Sequence, residues 1–177
     1  MRVNLRGALH NGRIDVYALG PNVSDIVGVA TWYPPGQKSF PSEEIREKSG
    51  WNTFIKDFEP AHKDWWLNTY STSSKNISRD ALPPDFTLNA WSLQIFGVLK
   101  AHQGKGYGRA LYELVHNEAK ATGSLMVLKA VADVDVNIYT KLGFRVLASC
   151  EFGDWRTCHR EVYKMRLMVN DKHSRTE

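Results

Sequence analysis

The stretch that decides the fold is Gln103-Gly104-Lys105-Gly106-Tyr107-Gly108, which lies between a predicted strand and a predicted helix. Three glycines in five positions let the backbone turn so that successive N–H groups point inward. The helix that follows brings its unpaired N–H groups and the positive end of its dipole to the same place. With Lys105 and Arg109 at the rim, the loop is predicted to bind an anion, and a pyrophosphate is the obvious candidate.

Two common nucleotide motifs do not fit this loop. A Walker loop needs GxxxxGK followed by Ser or Thr, but Gly106 follows Lys105 and Leu99 stands where the first glycine belongs. A dinucleotide fold needs GxGxxG, and Gly108 comes one residue too early for that spacing. Taken alone, the loop is therefore more readily explained as a glycine-rich turn without a ligand.

The segments around the loop alternate between strands and helices. Residues 91–98 are predicted to form a buried strand, 109–122 an amphipathic helix that Gly123 ends, and 125–131 a second buried strand. Residues 136–142 are predicted to form a short helix that ends at Gly143. In the longer helix, one apolar face is predicted to carry Leu111, Leu114, Val115 and Ala119.

The outer parts of the chain complete the pattern. Residues 12–36 predict a hairpin, 37–90 a helical insert, 144–152 and 161–169 a closing strand pair, and 170–177 a disordered tail. In the insert, Ser42-Glu43-Glu44 is a helix start, whereas the polar residues 71–85 predict a surface loop. We expect one domain over 1–177, with 91–169 as its core, in the order β-β-(α)-β-α-β-α-β-β.

Composition restricts the cell compartment and the partners. The longest apolar runs are about half a membrane span, and no signal-peptide core follows Met1, so we expect a cytoplasmic protein that does not enter a membrane. Cys150 and Cys158 are interpreted as unpaired structural thiols, and no metal site is predicted. The net charge of +4 suits a polyanionic small ligand as well as nucleic acid, but no basic-aromatic block supports a nucleic-acid partner.

The Gln-x-x-Gly-x-Gly pattern of Gln103, Gly106 and Gly108, after a strand and before an amphipathic helix, resembles the acetyl-CoA motif of the GNAT N-acetyltransferase superfamily. A second segment, Asn137-Ile138-Tyr139-Thr140-Lys141-Leu142-Gly143-Phe144, is similar to that family's helix-to-strand motif in a shortened form. The resemblance implies a mixed α/β (α+β) fold with a mainly antiparallel sheet flanked by helices. It also implies acetyl-CoA as the co-substrate.

The resemblance assigns roles to particular residues. The strands that end near Val98 and Val131 would splay apart, and the pantetheine arm would bind backbone groups around Phe96 and Val98. Tyr139 would act as the general acid that protonates the leaving thiolate, because a phenol can donate a proton; otherwise it only packs the short helix against the sheet. The resemblance and the charge of the loop give these CoA-binding candidates: Phe96, Val98, Gln103, Gly104, Lys105, Gly106, Gly108, Arg109, Asn137 and Lys141. Asn137 could alternatively cap the short helix.

No general base is predicted. His102 is expected at the rim of the loop, His116 mid-helix, and Asp133 and Asp135 on a solvated loop face. Many relatives carry an acidic residue where Lys129 stands, so the resemblance supports no base there. The usual first strand and two helices of the family are not evident before Arg13. Aromatic residues gather before residue 71, which would suit an apolar or aromatic acceptor if they are not simply core.

Three functions follow from these observations. The first is an N-acetyltransferase acting on a small primary amine or, less readily, on a peptide amine. The second is a module that binds CoA or acyl-CoA without catalysis, and the third is a nucleic-acid-binding domain, which only the net charge permits. The insert over 42–70 could replace the missing wall of the acceptor pocket, or a second subunit of a homodimer could supply it.

Overall fold

A six-stranded sheet runs through the computed structural model, which describes residues 2–84, 86, 89–154, 156 and 161–171. Its strands stand in the order β1-β2-β3-β4-β6-β5. Their bounds are β1 Arg13–Ala18, β2 Ile26–Tyr33, β3 Ala90–Val98, β4 Leu125–Ala130, β5 Arg145–Gly153 and β6 Val162–Asn170. Neighbours pair in antiparallel fashion except β3 and β4, which are parallel. The predicted mixed fold with a mainly antiparallel sheet is confirmed.

Helices cover the sheet in two groups. Their bounds are α1 Arg2–Asn11, α2 Glu43–Ser49, α3 Trp51–Lys56, α4 Pro60–Asp64, α5 Ser71–Ala81, α6 Tyr107–Thr122 and α7 Asp133–Lys141. A π-helical segment, Trp65–Tyr70, joins α4 to α5, and a 3₁₀ turn, Lys100–His102, follows β3. Ser42 caps α2 as predicted, since its hydroxyl accepts a hydrogen bond from Ile45 N–H (3.3 Å).

The α6 face of the sheet carries one part of the hydrophobic core. Leu111, Val115 and Ala119 of α6 are almost fully buried against the sheet, where Trp32 is also fully buried. The predicted apolar stripe is therefore right at three of its four positions. Leu114 is the exception, because its side chain is 48% exposed. At the end of α6, Gly123 takes a left-handed conformation (φ 65°) and stops the helix as predicted.

The opposite face is covered by α5 and the π-helical segment. Ile77 of α5 and Trp65 pack there with Phe152 and Met165 of the last two strands. The prediction of a surface loop over 71–85 is wrong, because residues 71–81 form α5. The polar composition misled that prediction, since only Ile77 of this helix is buried while its polar side chains face solvent or a cleft.

Other element boundaries also differ from the predictions. A helix, α1, precedes the first strand, although the sequence predicted no element there. The short helix α7 begins at Asp133 rather than 136, and α6 begins at Tyr107 rather than 109. The predicted tail starts too early, because Asn170 is buried in β6 with its amide donating to the Tyr112 hydroxyl (2.8 Å). Residues 172–177 lie outside the described residues.

Candidate active site

A gap opens in the sheet between its two parallel strands. β3 and β4 pair through only three residues of each strand, from Ala90↔Leu125 to Ser92↔Val127. Beyond this point β3 continues beside β2 as far as Val98, while β4 continues beside β6 to Ala130. The two facing edges are thus left without a strand partner over 93–98 and 128–130. This is the predicted splaying, and it exposes backbone groups that a ligand amide can satisfy.

The glycine loop lies where β3 gives way to α6. Gly104 and Gly106 adopt φ of 77° and 87°, a conformation that only glycine takes readily. A Cβ atom at either position would meet nothing within 4 Å, so the loop presents open space above its backbone. The first hydrogen bond from α6 back to the loop joins Ala110 N–H to Gly106 C=O (3.0 Å). The N–H groups of residues 107–109 therefore precede the helical hydrogen bonds and can meet an anion.

Side chains and backbone bonds hold the loop against the strand end. The Gln103 amide donates to the Val98 carbonyl (3.1 Å), and Leu99 N–H donates to the Val27 carbonyl (2.8 Å). At the start of α6, a Cβ on Gly108 would stand 3.4 Å from the Phe96 ring, which is ordinary contact distance. Gln103, Phe96, Val98 and Gly108 are thus brought together, as the resemblance implied.

Tyr139 lies beside this arrangement on α7. Its ring contacts those of Phe96 (centroids 6.1 Å apart) and Phe144 (6.0 Å). Within the described part of the chain, no hydrogen bond is made by its hydroxyl group. Burial, helped by the nearby Asp135 carboxylate, raises the pKa of Tyr139 to about 12. The phenol therefore remains protonated at every physiological pH.

The remaining predicted CoA contacts surround the loop on exposed surfaces. Lys105, Asn137 and Lys141 are all exposed. Arg109 already bridges two helices, because its guanidinium donates to the Lys141 carbonyl (3.3 Å) and lies 3.7 Å from the Glu113 carboxylate. Asn137 stands inside α7 rather than before it, so the alternative that it caps this helix is wrong.

A cavity of about 700 Å³ opens on the opposite face at the point where the strands part. Residues Ser92–Gln94 of β3 and Val127–Lys129 of β4 form its floor, and α5 forms one wall. Its aromatic lining consists of Phe40, Trp51, Trp66 and Tyr70, and its cationic lining of Lys38, Lys75, Arg79 and Lys129. This volume suits a small-molecule ligand. We call this space the acceptor-side cavity.

Lys129, for which the sequence supported no role as a base, lines this cavity. Its ammonium group donates to the Ser74 carbonyl (2.6 Å) and to the Ser74 hydroxyl (2.8 Å) on α5. Solvent reaches the side chain from the cavity, but the walls displace much of the surrounding water, which lowers the pKa of Lys129 to about 8. One signal was available, since Lys129 is the only charged residue in the apolar run 125–131.

The residues considered for the general base lie in other surroundings. Asp133 opens α7 and forms an ion pair with Arg166, and Asp135 follows in the same first turn. His116 stacks on Tyr112 (centroids 5.0 Å apart), and His102 lies in the 3₁₀ turn before the loop, with no described partner for its buried Nδ1 atom. The structure does not bring any of these four residues to the acceptor-side cavity lining.

The cysteines, the metal-ligating side chains and the helix lengths bear on three further predictions. Cys150 is a free thiol, and Cys158 lies outside the described residues. In the described ranges, no group of three or more His, Cys, Asp or Glu side chains is placed to hold a metal ion. Over the same ranges, none of the helices combines the length and apolarity that a membrane crossing requires.

The central segment matches a known family model. Residues 79–146 match the acetyltransferase (GNAT) domain, a range that includes the glycine loop, the strand gap and Tyr139. The resemblance to the GNAT acetyltransferases drawn from the two motifs is thereby confirmed for this segment. The family supports an acyltransferase that uses acetyl-CoA. No curated protein matches the sequence.

Solved structures with similar folds include three acetyltransferases. An IAA acetyltransferase from Bacillus cereus is 15% identical over 91% of this chain and 78% of its own, with a TM-score of 0.48. A GNAT acetyltransferase from Elizabethkingia anophelis with acetyl-CoA bound is 14% identical over 93% and 79% of the two chains (TM-score 0.49). A ribosomal-protein-alanine N-acetyltransferase from Brucella melitensis is 14% identical over 89% and 67% (TM-score 0.44).

Proposed function

We propose that this protein is an N-acetyltransferase that moves the acetyl group of acetyl-CoA to a primary amine by direct attack. The observation that carries the proposal is the gap between β3 and β4, which has the glycine loop at the end of one strand and the acceptor-side cavity on the opposite face. A donor and an acceptor can thus approach the same point from two sides. We further propose a cytoplasmic location, which the free thiol of Cys150 supports.

The loop and the strand edge divide the binding of CoA between them. We propose that the N–H groups of residues 107–109 and the turn at Gly104 and Gly106 bind the pyrophosphate, with Lys105 adding charge. The pantetheine arm would bind as an extra strand to the free edge of β3 around Phe96 and Val98. Lys141, Asn137 and Arg109 would contact the outer part of the cofactor, with Arg109 also keeping α6 and α7 together.

The chemistry then requires one group that donates a proton to the leaving sulfur and one that donates a hydrogen bond to the oxyanion. The amine nitrogen attacks the thioester carbonyl carbon, and a backbone N–H near Val98 would hold the resulting oxyanion. When the C–S bond breaks, Tyr139 gives its proton to the sulfur, while the new amide nitrogen releases its own proton to water. Water then returns a proton to the phenolate. A phenol whose pKa is about 12 is always in the protonated form that this role needs.

A thiol-release assay tests this proposal. Free thiol should appear from acetyl-CoA only when an amine is added, and Tyr139→Phe should lower kcat by about a hundredfold, as expected when a general acid is removed. CoA affinity should change little, because the ring remains. Undiminished turnover in that variant would remove Tyr139 from the acid role.

Tyr112→Phe is the matched control for loss of a phenol hydroxyl. Tyr112 is buried in α6, and its hydroxyl accepts a hydrogen bond from Asn170 rather than facing the gap. This variant should lose stability but keep kcat. A thermal shift with CoA and no turnover on any amine would instead support the alternative function, a CoA-binding module without catalysis.

A further inference from the structure

The lining of the acceptor-side cavity has an unbalanced charge. Lys38, Lys75 and Lys129 line it, and within the described residues no ion pair joins any of the three to a carboxylate. Arg79, the fourth cation, pairs with Asp80 on its own helix (2.8 Å). No Asp or Glu is among the described lining residues. A cavity of this kind repels a protonated amine and attracts an anion.

Lys129 gives this charge a definite position. It stands two residues after Val127, the last β4 residue paired with β3, and so lies at the edge of the gap. Two hydrogen bonds to Ser74 fix its ammonium group between β4 and α5. On the other strand, Ser92 and Gln94 contribute neutral polar groups to the same cavity. A ligand that enters from this face therefore meets a fixed cation beside the place where acetyl transfer is proposed.

The cavity also has a large apolar component. Trp51, Trp66 and Tyr70 line it from the insert, and the Trp66 and Tyr70 rings stack with centroids 4.8 Å apart. Flat rings of this kind bury an apolar or aromatic body well. The lining thus offers one charged region and one apolar region in a space of about 700 Å³.

We propose that the acceptor is an amine that also carries a carboxylate, such as an amino acid with an aromatic or apolar side chain, and that Lys129 and Lys75 bind the carboxylate. This inference rests on the proposed function, since it names the class of acceptor for the same site. The carboxylate compensates the cavity's positive charge, and the aromatic side chains contact the apolar body.

The same field favours the reaction itself. Attack requires the neutral amine, and a positive environment lowers the pKa of a bound ammonium group. The cations that the bound carboxylate leaves uncompensated, Lys38 and Arg79 among them, therefore promote loss of the amine proton to water without a protein carboxylate as base. The pKa of Lys129 itself is lowered to about 8 by a different cause, because burial disfavours its charged form.

A binding experiment without turnover tests the proposal on the full chain. N-acetylphenylalanine and N-acetylphenethylamine differ by a single carboxylate, and neither has an amine to acetylate. Titration of each, with CoA present and followed by calorimetry or by fluorescence of Trp51 and Trp66, should show at least tenfold tighter binding of N-acetylphenylalanine. Equal binding of the two compounds, or binding of neither at millimolar concentration, would overturn the proposal.

Variants locate the contact. Lys129→Met keeps the length of the side chain and removes its charge, and it should reduce the preference at least fivefold. Lys75 lies at an exposed position on α5, so Lys75→Gln should reduce the preference for N-acetylphenylalanine less, by about twofold. Lys120→Gln, on α6 outside the cavity, is the matched control and should leave it unchanged. A preference that survives Lys129→Met in a folded protein would contradict the assignment.

Turnover separates this proposal from the function on which it rests. With acetyl-CoA, phenylalanine should exceed phenethylamine at least tenfold in kcat/KM. If neither amine is acetylated while N-acetylphenylalanine still binds preferentially, the acetyltransferase proposal fails and the carboxylate site stands. If phenethylamine is acetylated as well as phenylalanine, the acetyltransferase proposal stands and the carboxylate site fails.

Discussion

The two faces of the sheet are built to recognise ligands by different means. On the α6 face, the proposed CoA site consists mainly of backbone groups: two left-handed glycines, the first N–H groups of a helix and the free edge of β3. On the α5 face, the cavity is formed by side chains from several short helices and three strands. Backbone groups are the same whatever the residue, whereas side chains vary in charge and shape. The first face therefore suits a constant donor, and the second a particular acceptor.

The faces also differ in how their elements are held. α6 is a sixteen-residue helix whose buried stripe packs on the sheet, so the start of the helix is fixed by the core. The insert consists of pieces of five to eleven residues, each with one buried residue or none. Its aromatic rings contact one another as much as they contact the sheet. We expect the CoA side to be the more stable of the two.

The largest effect should come from the core beneath α6. Leu111→Ala should lower the free energy of unfolding by about 3 kcal/mol, because it removes a fully buried side chain and leaves a cavity. Chemical denaturation measures this. Leu114→Ala on the same helix is the control, and it should cost under about 1 kcal/mol because that side chain is half exposed. Equal losses would mean that α6 is not anchored by this stripe.

The glycine loop should show a smaller effect that is specific to the ligand. Gly106→Ala places a Cβ on a residue with φ of 87°, which costs about 1–2 kcal/mol of strain and disturbs the loop, so CoA affinity should fall at least tenfold. Gly123→Ala is the matched control at the other end of α6, with φ of 65° and equally open space. Calorimetry should find similar losses of stability in both variants but weaker CoA binding only in Gly106→Ala. A parallel loss of CoA affinity in Gly123→Ala would refute a direct role for the loop.

The difference between the backbone-built CoA side and the side-chain-built acceptor-side cavity also explains which features could be predicted from the sequence. The glycine loop and its flanking strands were predicted correctly because their signals are local: positive φ favours glycine, and these two strands are mainly apolar. Gly104 and Gly106 have such φ angles. Gln103, Gly108 and Tyr139 were named through the family motif, and their roles stay predictions. Leu114 was misplaced because one residue on the helix turns the side chain by 100° or so, which takes it out of the buried stripe.

The acceptor-side cavity could not be predicted in this way. Ser74 and Lys129 are 55 positions apart, and their contact depends on how α5 packs over β4. α5 itself was missed because its single buried residue, Ile77, gives almost no periodic signal. A helix whose stability comes from packing rather than from its own pattern is not visible to local rules. Which cations share a cavity is therefore a property of the folded chain.

A prediction of intermediate size tests whether the two faces are independent. Ser42→Ala removes the N-cap of α2, where the hydroxyl accepts from Ile45 N–H, and should cost about 1 kcal/mol. Ser42→Asp should restore most of it, since an aspartate caps equally well. Because α2 belongs to the insert, CoA affinity should stay unchanged in both variants. A change in CoA affinity would show that the insert and the loop are coupled.

The smallest expected effect is the pH dependence of carboxylate binding in the acceptor-side cavity. The pKa of Lys129 is about 8, so the residue is cationic at pH 7 and largely neutral at pH 9. The carboxylate of N-acetylphenylalanine is ionised throughout this range. Its affinity should therefore fall about threefold between pH 7 and pH 9 as one of several positive charges is lost.

The direction in which carboxylate affinity changes with pH depends on which protonation state of Lys129 binds the anion. A bound carboxylate favours the protonated lysine and raises the pKa of Lys129, so the fall in affinity should be centred somewhat above pH 8. Desolvation, the main cause of the lowered pKa, acts in the opposite sense on stability: the folded protein gains stability as pH rises from about 8 toward the ordinary lysine range, because only the unfolded chain then keeps the proton. Burial raises the pKa of the Cys150 thiol, which interacts with Lys129. Lys129→Met should make the affinity independent of pH between 7 and 9, and a persistent threefold fall in that variant would assign the titration to another group.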